Sequence, residues 1–261
     1  MKRQIHLFLT AMMFYTRIPV PLFSHFSDND LNASTRYFPL IGWIVGLLSF
    51  ISYLVSRFFF SVEISIIISL IIGVLTTGAF HEDGLADFFD GFGGGWTQEK
   101  ILEIMKDSRV GTYGMVATLF QLGIKFFALK ELSILLQNDW WILMLIFITY
   151  HSLARATAIQ LSFVLPYVRE DEKSKAKPIA KQHTHKETVG VLVFGLIPFL
   201  FLILKFPVLM IAFIPLVLLV FYFKYYLKKW INGYTGDCLG AIEQISECII
   251  LISFVALWKF I

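Results

Sequence analysis

Seven apolar runs, each close to the length that crosses a bilayer, divide this chain: roughly 37–56, 62–80, 111–136, 140–165, 188–204, 207–227 and 237–258. A helix rises about 1.5 Å per residue, so about 20 apolar residues span a hydrocarbon core about 30 Å thick. Of the 261 residues, 57% are hydrophobic and 16% charged, against about 25% charged in soluble domains. The pattern predicts an all-α, polytopic membrane bundle of about seven transmembrane helices and excludes a soluble globular domain. Lys125 and Lys130 interrupt the third run. No internal repeat or low-complexity linker divides the chain, so one membrane domain over 1–261 is expected. The basic residues form no aromatic-interleaved face, and no nucleic-acid partner is expected.

Basic residues orient the bundle. With the N-terminus inside, sixteen of the 22 Lys and Arg fall in cytosolic segments, the 167–187 loop holding many of them. Only Arg57, Lys130, Lys205 and Lys259 fall outside, while Lys125 and Arg155 lie within spans. Sixteen against four is a positive-inside bias, and it places the 81–107, 167–187 and 228–237 segments on the cytosolic face. The first 21 residues start basic and turn apolar like a signal peptide. They lack a small-x-small cleavage site, so a retained interfacial segment is expected. Cys238 and Cys248 stand about 15 Å apart along one helix, too far for a mutual disulfide, and are read as buried thiols.

The stretch HEDGLADFFDGFGGG (81–95) brings four carboxylates to the end of the second run. If residues 81–90 continue that span and stop at Gly91, Asp83, Asp87 and Asp90 point within about 60° of one another. Three acids on one face repel, and nothing basic within the motif pairs with them. Hard oxygen donors suit Mg²⁺, or Mn²⁺, with water and phosphate completing the shell. A solvated acidic cap is the alternative. Glu82 projects elsewhere. Gly93-Gly94-Gly95 reads as a mobile exit loop, followed by an amphipathic surface helix over 98–107. Asp107 is then a candidate further metal ligand and Arg109 a candidate phosphate clamp.

His81 is a candidate ligand or general base, or else an interfacial histidine. Lys125 and Arg155 are costly within a membrane; they would counter the carboxylates or bind phosphates, with snorkelling the alternative for Lys125. The 169–187 run reads as a solvated loop or a phosphate-attracting lid, with His183 and His185 as weak metal candidates. Asp237 caps the last span or joins the site.

HEDGLADFFDG followed by EIMKDSRVGTYG resembles the signature of the cobalamin synthase family, the adenosylcobinamide-GDP ribazoletransferases. Thr16–Pro21, Phe38–Gly42 and Thr235–Gly240 resemble that family in the same order along the chain. Glu82 stands where the family often has an apolar residue, and Tyr234 where Gln is common. The resemblance implies attack by α-ribazole, or its 5′-phosphate, on the cobinamide-side phosphorus of adenosylcobinamide-GDP, with release of GMP and a need for Mg²⁺. It implies metal at Asp83, Asp87, Asp90 and Asp107, catalysis by Asp83, His81 and Arg109, and substrate contacts from Arg109, Asp237, Arg155 and Lys125. It also implies a prokaryotic cell membrane and leaves room for a homo-oligomer. Two other readings stay open. A CDP-alcohol phosphotransferase would have Arg where Asp87 stands and a further Gly-x-x-x-Asp-x-x-x-Asp, which is missing here. A divalent-cation transporter would place its site near the midplane.

Overall fold

The computed structural model describes residues 2–20, 27–169 and 184–261. Residues 170–183 of the expected lid, His183 among them, lie outside these. Eleven α-helices form in the described residues, and the one β-bridge, Tyr167 with Tyr234, is isolated. They are α1 (Lys2–Tyr15), α2 (Asp28–Ser34), α3 (Phe38–Ser56), α4 (Val62–Thr77), α5 (Phe80–Gly94), α6 (Gln98–Ile104), α7 (Thr112–Leu135), α8 (Trp140–Val164), α9 (His185–Lys205), α10 (Phe213–Ile231) and α11 (Gly236–Trp258). A 3-10 turn, Thr35–Tyr37, joins α2 to α3, and another, Pro207–Ala212, leads into α10.

Six segments are long and apolar enough to cross a membrane, and the α4–α5 pair makes a seventh if counted as one broken span. Their outer faces carry exposed side chains such as Ile51, Ile71, Phe120, Leu204 and Leu218. A belt of this kind is stable only against lipid. α8 is the most enclosed span and α11 the next. α3 reaches α8 through Gly42 and Gly46, where a Cβ would collide with the backbone of residues 147–152 at 2.5–2.9 Å. This four-residue spacing of small residues lets two membrane helices approach without a hydrophobic driving force. Trp43 then donates across to the Phe194 carbonyl at 2.7 Å, fixing α9 beside them. α1 buries Leu7, Ala11 and Tyr15 against this group rather than lying loose. Both cysteines are buried and free.

The expected continuous helix through residue 81 does not form. Gly78 (φ 70) and Ala79 (φ 58) are both left-handed and turn α5 by 87° from α4. The Gly78 and Ala79 amides close the end of α4 on the Leu75 and Val74 carbonyls, a glycine-led helix stop. A second expectation also fails. The helix does not end at Gly91, because Gly93 and Gly94 are helical. Gly91 lies under Met105, Gly93 under Tyr113 and Gly95 under Ile101, so the glycines serve close packing of α6 and α7 on α5.

Candidate active site

α5, α6, the 165–169 segment and the 232–237 connection meet at one end of the bundle. Backbone bonds from Tyr234 to the Pro166 carbonyl (2.9 Å) and from Val168 to the Tyr234 carbonyl (3.0 Å) hold the last two together. Gly233 is required there, since a Cβ would strike the Pro166 carbonyl. Thr97 caps α6, which buries Ile101 and, just beyond its end, Met105 against α5.

α5 crosses the start of α11 at two glycines. A Cβ on Gly84 would stand 3.1 Å from Asp237 Cα and 3.3 Å from Gly240 Cα. This contact sets Asp237, in the first turn of α11, against the face of α5 that carries Asp83 and Asp87. Asp83 is exposed, Asp87 half-buried and Asp90 buried. Asp87 feels the charges of Asp237, Asp83, Arg169 and Asp90 together. Arg169, read from sequence only as the first residue of a solvated loop or phosphate-attracting lid, donates to Asp237 Oδ2 at 2.7 Å and to the Met105 carbonyl at 3.0 Å.

Asp90 has a use that its sequence gave no hint of. Its Oδ2 accepts the Gly111 amide at 2.6 Å and its Oδ1 the Gly114 amide at 2.9 Å. α7 has no side-chain cap of its own, so Asp90 supplies one from the neighbouring helix. Gly114 makes room for it, since a Cβ there would lie 2.5 Å from Asp90 Oδ2 and 2.7 Å from the Ala86 carbonyl. Two acceptor directions of Asp90 are thereby taken up, leaving it fewer for an ion. Asp90→Asn turns one acceptor into a donor facing an amide. We expect it to lose about 1.5–3 kcal/mol, the worth of a hydrogen bond to a charged group. The measurement is thermal unfolding in detergent, and an unchanged melting temperature contradicts the capping role.

Asp107 and Arg109 form a forked pair at 2.5–3.1 Å. The hydrogen bond from Arg109 brings the Asp107 carboxyl down to about 2. Arg109 is 87% exposed and lines an open cleft of about 730 Å³ with Asp90, Lys100, Lys106, Asp107 and Tyr113. Asp107 shares this cleft with Asp90, and neither Asp83 nor Asp87 lines it.

Among the described residues no three metal-ligating side chains converge into a closed ion site. Mg²⁺ ordinarily takes one or two carboxylates and completes its octahedron with water and phosphate. Asp83 and Asp87, with Asp237 across the crossing, are hard oxygen donors that fit that demand.

The remaining candidates lie deeper. His81 is 2% exposed, and its ring faces Glu243 at 4.0 Å and Phe38 at 5.7 Å, away from the open end. Arg155 and Lys125, expected to counter the acidic helix or bind phosphate, are paired inside the bundle instead. Arg155 Nη1 lies 2.9 Å from Glu243 and 3.4 Å from Glu247. Lys125 bonds Glu247 and, at 2.6 Å, Gln244. His151 completes the cluster on Glu247. The physical reason is desolvation: a cation at this depth takes the nearest carboxylate at its own depth. The signal was present as Glu243-x-x-x-Glu247, one helical turn apart within an apolar span.

The family sequence model described as "Cobalamin-5-phosphate synthase" matches residues 7–255. A protein of Leptospira interrogans named "Adenosylcobinamide-GDP ribazoletransferase" is 42% identical over 259 residues, covering 97% of this chain and 96% of that one. One of the same name from Shewanella amazonensis is 40% identical over 268 residues, covering 99% and 98%. No solved structure matches. With near-complete coverage on both sides, and with the acidic helix, its glycine crossing and the α7 cap all inside the matched span, the chain belongs to the cobalamin-5-phosphate synthase family.

Proposed function

We infer that the protein joins adenosylcobinamide-GDP to α-ribazole, or its 5′-phosphate, and releases GMP. The observation that carries the reading is the α5–α11 crossing, which sets Asp83, Asp87 and Asp237 together beside Arg169. A ribose hydroxyl oxygen forms a bond to the cobinamide-side phosphorus as the bond from that phosphorus to the bridging oxygen breaks. GMP leaves with the bridging oxygen. A divalent ion, when bound, neutralises the diphosphate oxygens. Asp83 and Asp87 would hold it, with Asp237 at the same corner. Asp83, the more exposed acid, would take the hydroxyl proton on its second carboxylate oxygen. His81 faces the bundle interior, which argues against it as the base. Arg109, projecting over the cleft, grips phosphate oxygens with its planar fork.

The site faces the cytosol of a bacterial cell membrane; the bias of Lys and Arg supports that side. At the opposite end Lys130 pairs with Glu63 and Lys205 with Asp139. A cation transporter is disfavoured because the carboxylates below α5, Glu243 and Glu247, are already taken by Arg155 and Lys125.

The test is turnover by the purified protein in lipid vesicles given adenosylcobinamide-GDP, α-ribazole and Mg²⁺. GMP and a cobalamin should appear in equal amounts, and both should stop with EDTA and resume with Mn²⁺. Release of GMP without cobalamin, or turnover indifferent to EDTA, contradicts the reading.

A further inference from the structure

We propose that Arg169 is a diphosphate-binding residue that, before metal arrives, is held as the counter-cation of the acidic corner. This rests on the reading of Asp83 and Asp87 as a divalent-ion site. Arg169 Nη2 makes both bonds already described, to Asp237 and to the Met105 carbonyl. Its Nε is buried and has no hydrogen-bond partner among the described residues. A guanidinium carries five donors in a rigid fork, so this one keeps unused donors while its Nη2 holds Asp237. The side chains of Arg169 and Asp237 are only 19% and 16% exposed, so water screens the pair weakly. The segment behind it is fixed, since the Val168 amide is bonded to the Tyr234 carbonyl. The backbone therefore stays while the side chain can turn.

The charges make the consequence. Asp87 and Asp237 both feel Arg169. A divalent cation beside them is repelled by the guanidinium and competes with it for the same carboxylates. A diphosphate resolves the conflict by accepting the displaced guanidinium while its oxygens complete the shell of the ion. Metal and diphosphate then bind cooperatively, each favouring the other by the same factor. Arg169 differs in this from Arg109, whose partner is Asp107 and whose side chain is already in solvent.

The test measures Mn²⁺ binding by electron paramagnetic resonance on the purified full chain in detergent, with KM for adenosylcobinamide-GDP measured at saturating Mn²⁺. Arg169→Gln should bind Mn²⁺ alone about tenfold more tightly than wild type, because a like charge is gone. It should also raise KM about tenfold or more. Opposite movement of the two affinities is the signature, since a merely structural role would weaken both. Arg169→Lys keeps the charge but not the fork, so its Mn²⁺ affinity should stay within about twofold of wild type while KM rises. The proposal is overturned if Arg169→Gln binds Mn²⁺ no better than wild type, if KM does not move, or if the Lys variant tightens Mn²⁺ as the Gln variant does. If wild type itself fails to bind Mn²⁺, or Asp87→Asn binds it equally well, the underlying site assignment falls and this proposal with it. Wild-type binding that Asp87→Asn abolishes, without tightening in Arg169→Gln, removes only the role of Arg169.

Discussion

Asp83→Asn and Asp87→Asn should each lower kcat for GMP release by at least about a hundredfold and leave the fold intact. Partners that merely orient a metal's ligands are worth about 10- to 100-fold, so loss of a ligand itself should cost no less. Both acids stand on the open side of α5, one exposed and the other half-buried. Among the described residues neither accepts a backbone hydrogen bond that the amide would break, in contrast to Asp90. Removing charge from a face of repelling acids should, if anything, relieve strain. The split is therefore between activity and stability: turnover falls while the melting temperature in detergent holds or rises. If either variant keeps near-normal kcat at saturating Mg²⁺, that residue is not a ligand.

The second large effect belongs to the interior. Glu247 answers Lys125, His151 and Arg155 at once, and all four side chains are buried among α7, α8 and α11. Glu247→Ala leaves two cations sharing Glu243 in a medium that cannot solvate them. Breaking one side of a buried ion pair costs about 3–5 kcal/mol. The loss should appear in equilibrium unfolding from detergent micelles, and activity should fall through a lower amount of folded protein rather than through KM. A shift below about 1 kcal/mol contradicts the view that this network fastens the three helices together.

The spans were legible because a bilayer enforces one thing, apolar length. Six of the seven runs became α-helices within about three residues of the expected limits, while the 207–227 run opens with the 3-10 turn Pro207–Ala212 and its α-helix runs Phe213–Ile231. The bend at Gly78–Ala79 was not. Thr-Thr-Gly-Ala-Phe reads as continuing helix, and nothing local marks Ala79 for a left-handed backbone that usually costs a non-glycine residue about 1–2 kcal/mol. That bend decides how the acids lie across the end of the bundle. Asp83 and Asp87 were found by local spacing, because a helix face is a local property. The roles of Asp90 and Arg169 depend on partners 21 and 68 residues away, Gly111 and Asp237, and no periodicity encodes such pairings. Lys125 and Arg155 show a middle case. Their burial was expected from hydropathy, but their partners lay on α11, and the nearest conspicuous acids in sequence drew the assignment to α5.

The central claim is that the diphosphate meets a divalent ion held by the acidic face of α5. The most direct measurement is phosphorus hyperfine coupling to Mn²⁺ in the purified protein with adenosylcobinamide-GDP bound and α-ribazole withheld. The account predicts a ³¹P coupling of directly ligated phosphate in wild type, absent in Asp87→Asn at equal substrate occupancy. A saturated substrate complex that shows no ³¹P coupling, or one whose coupling survives loss of both Asp83 and Asp87, would place the ion elsewhere and contradict it.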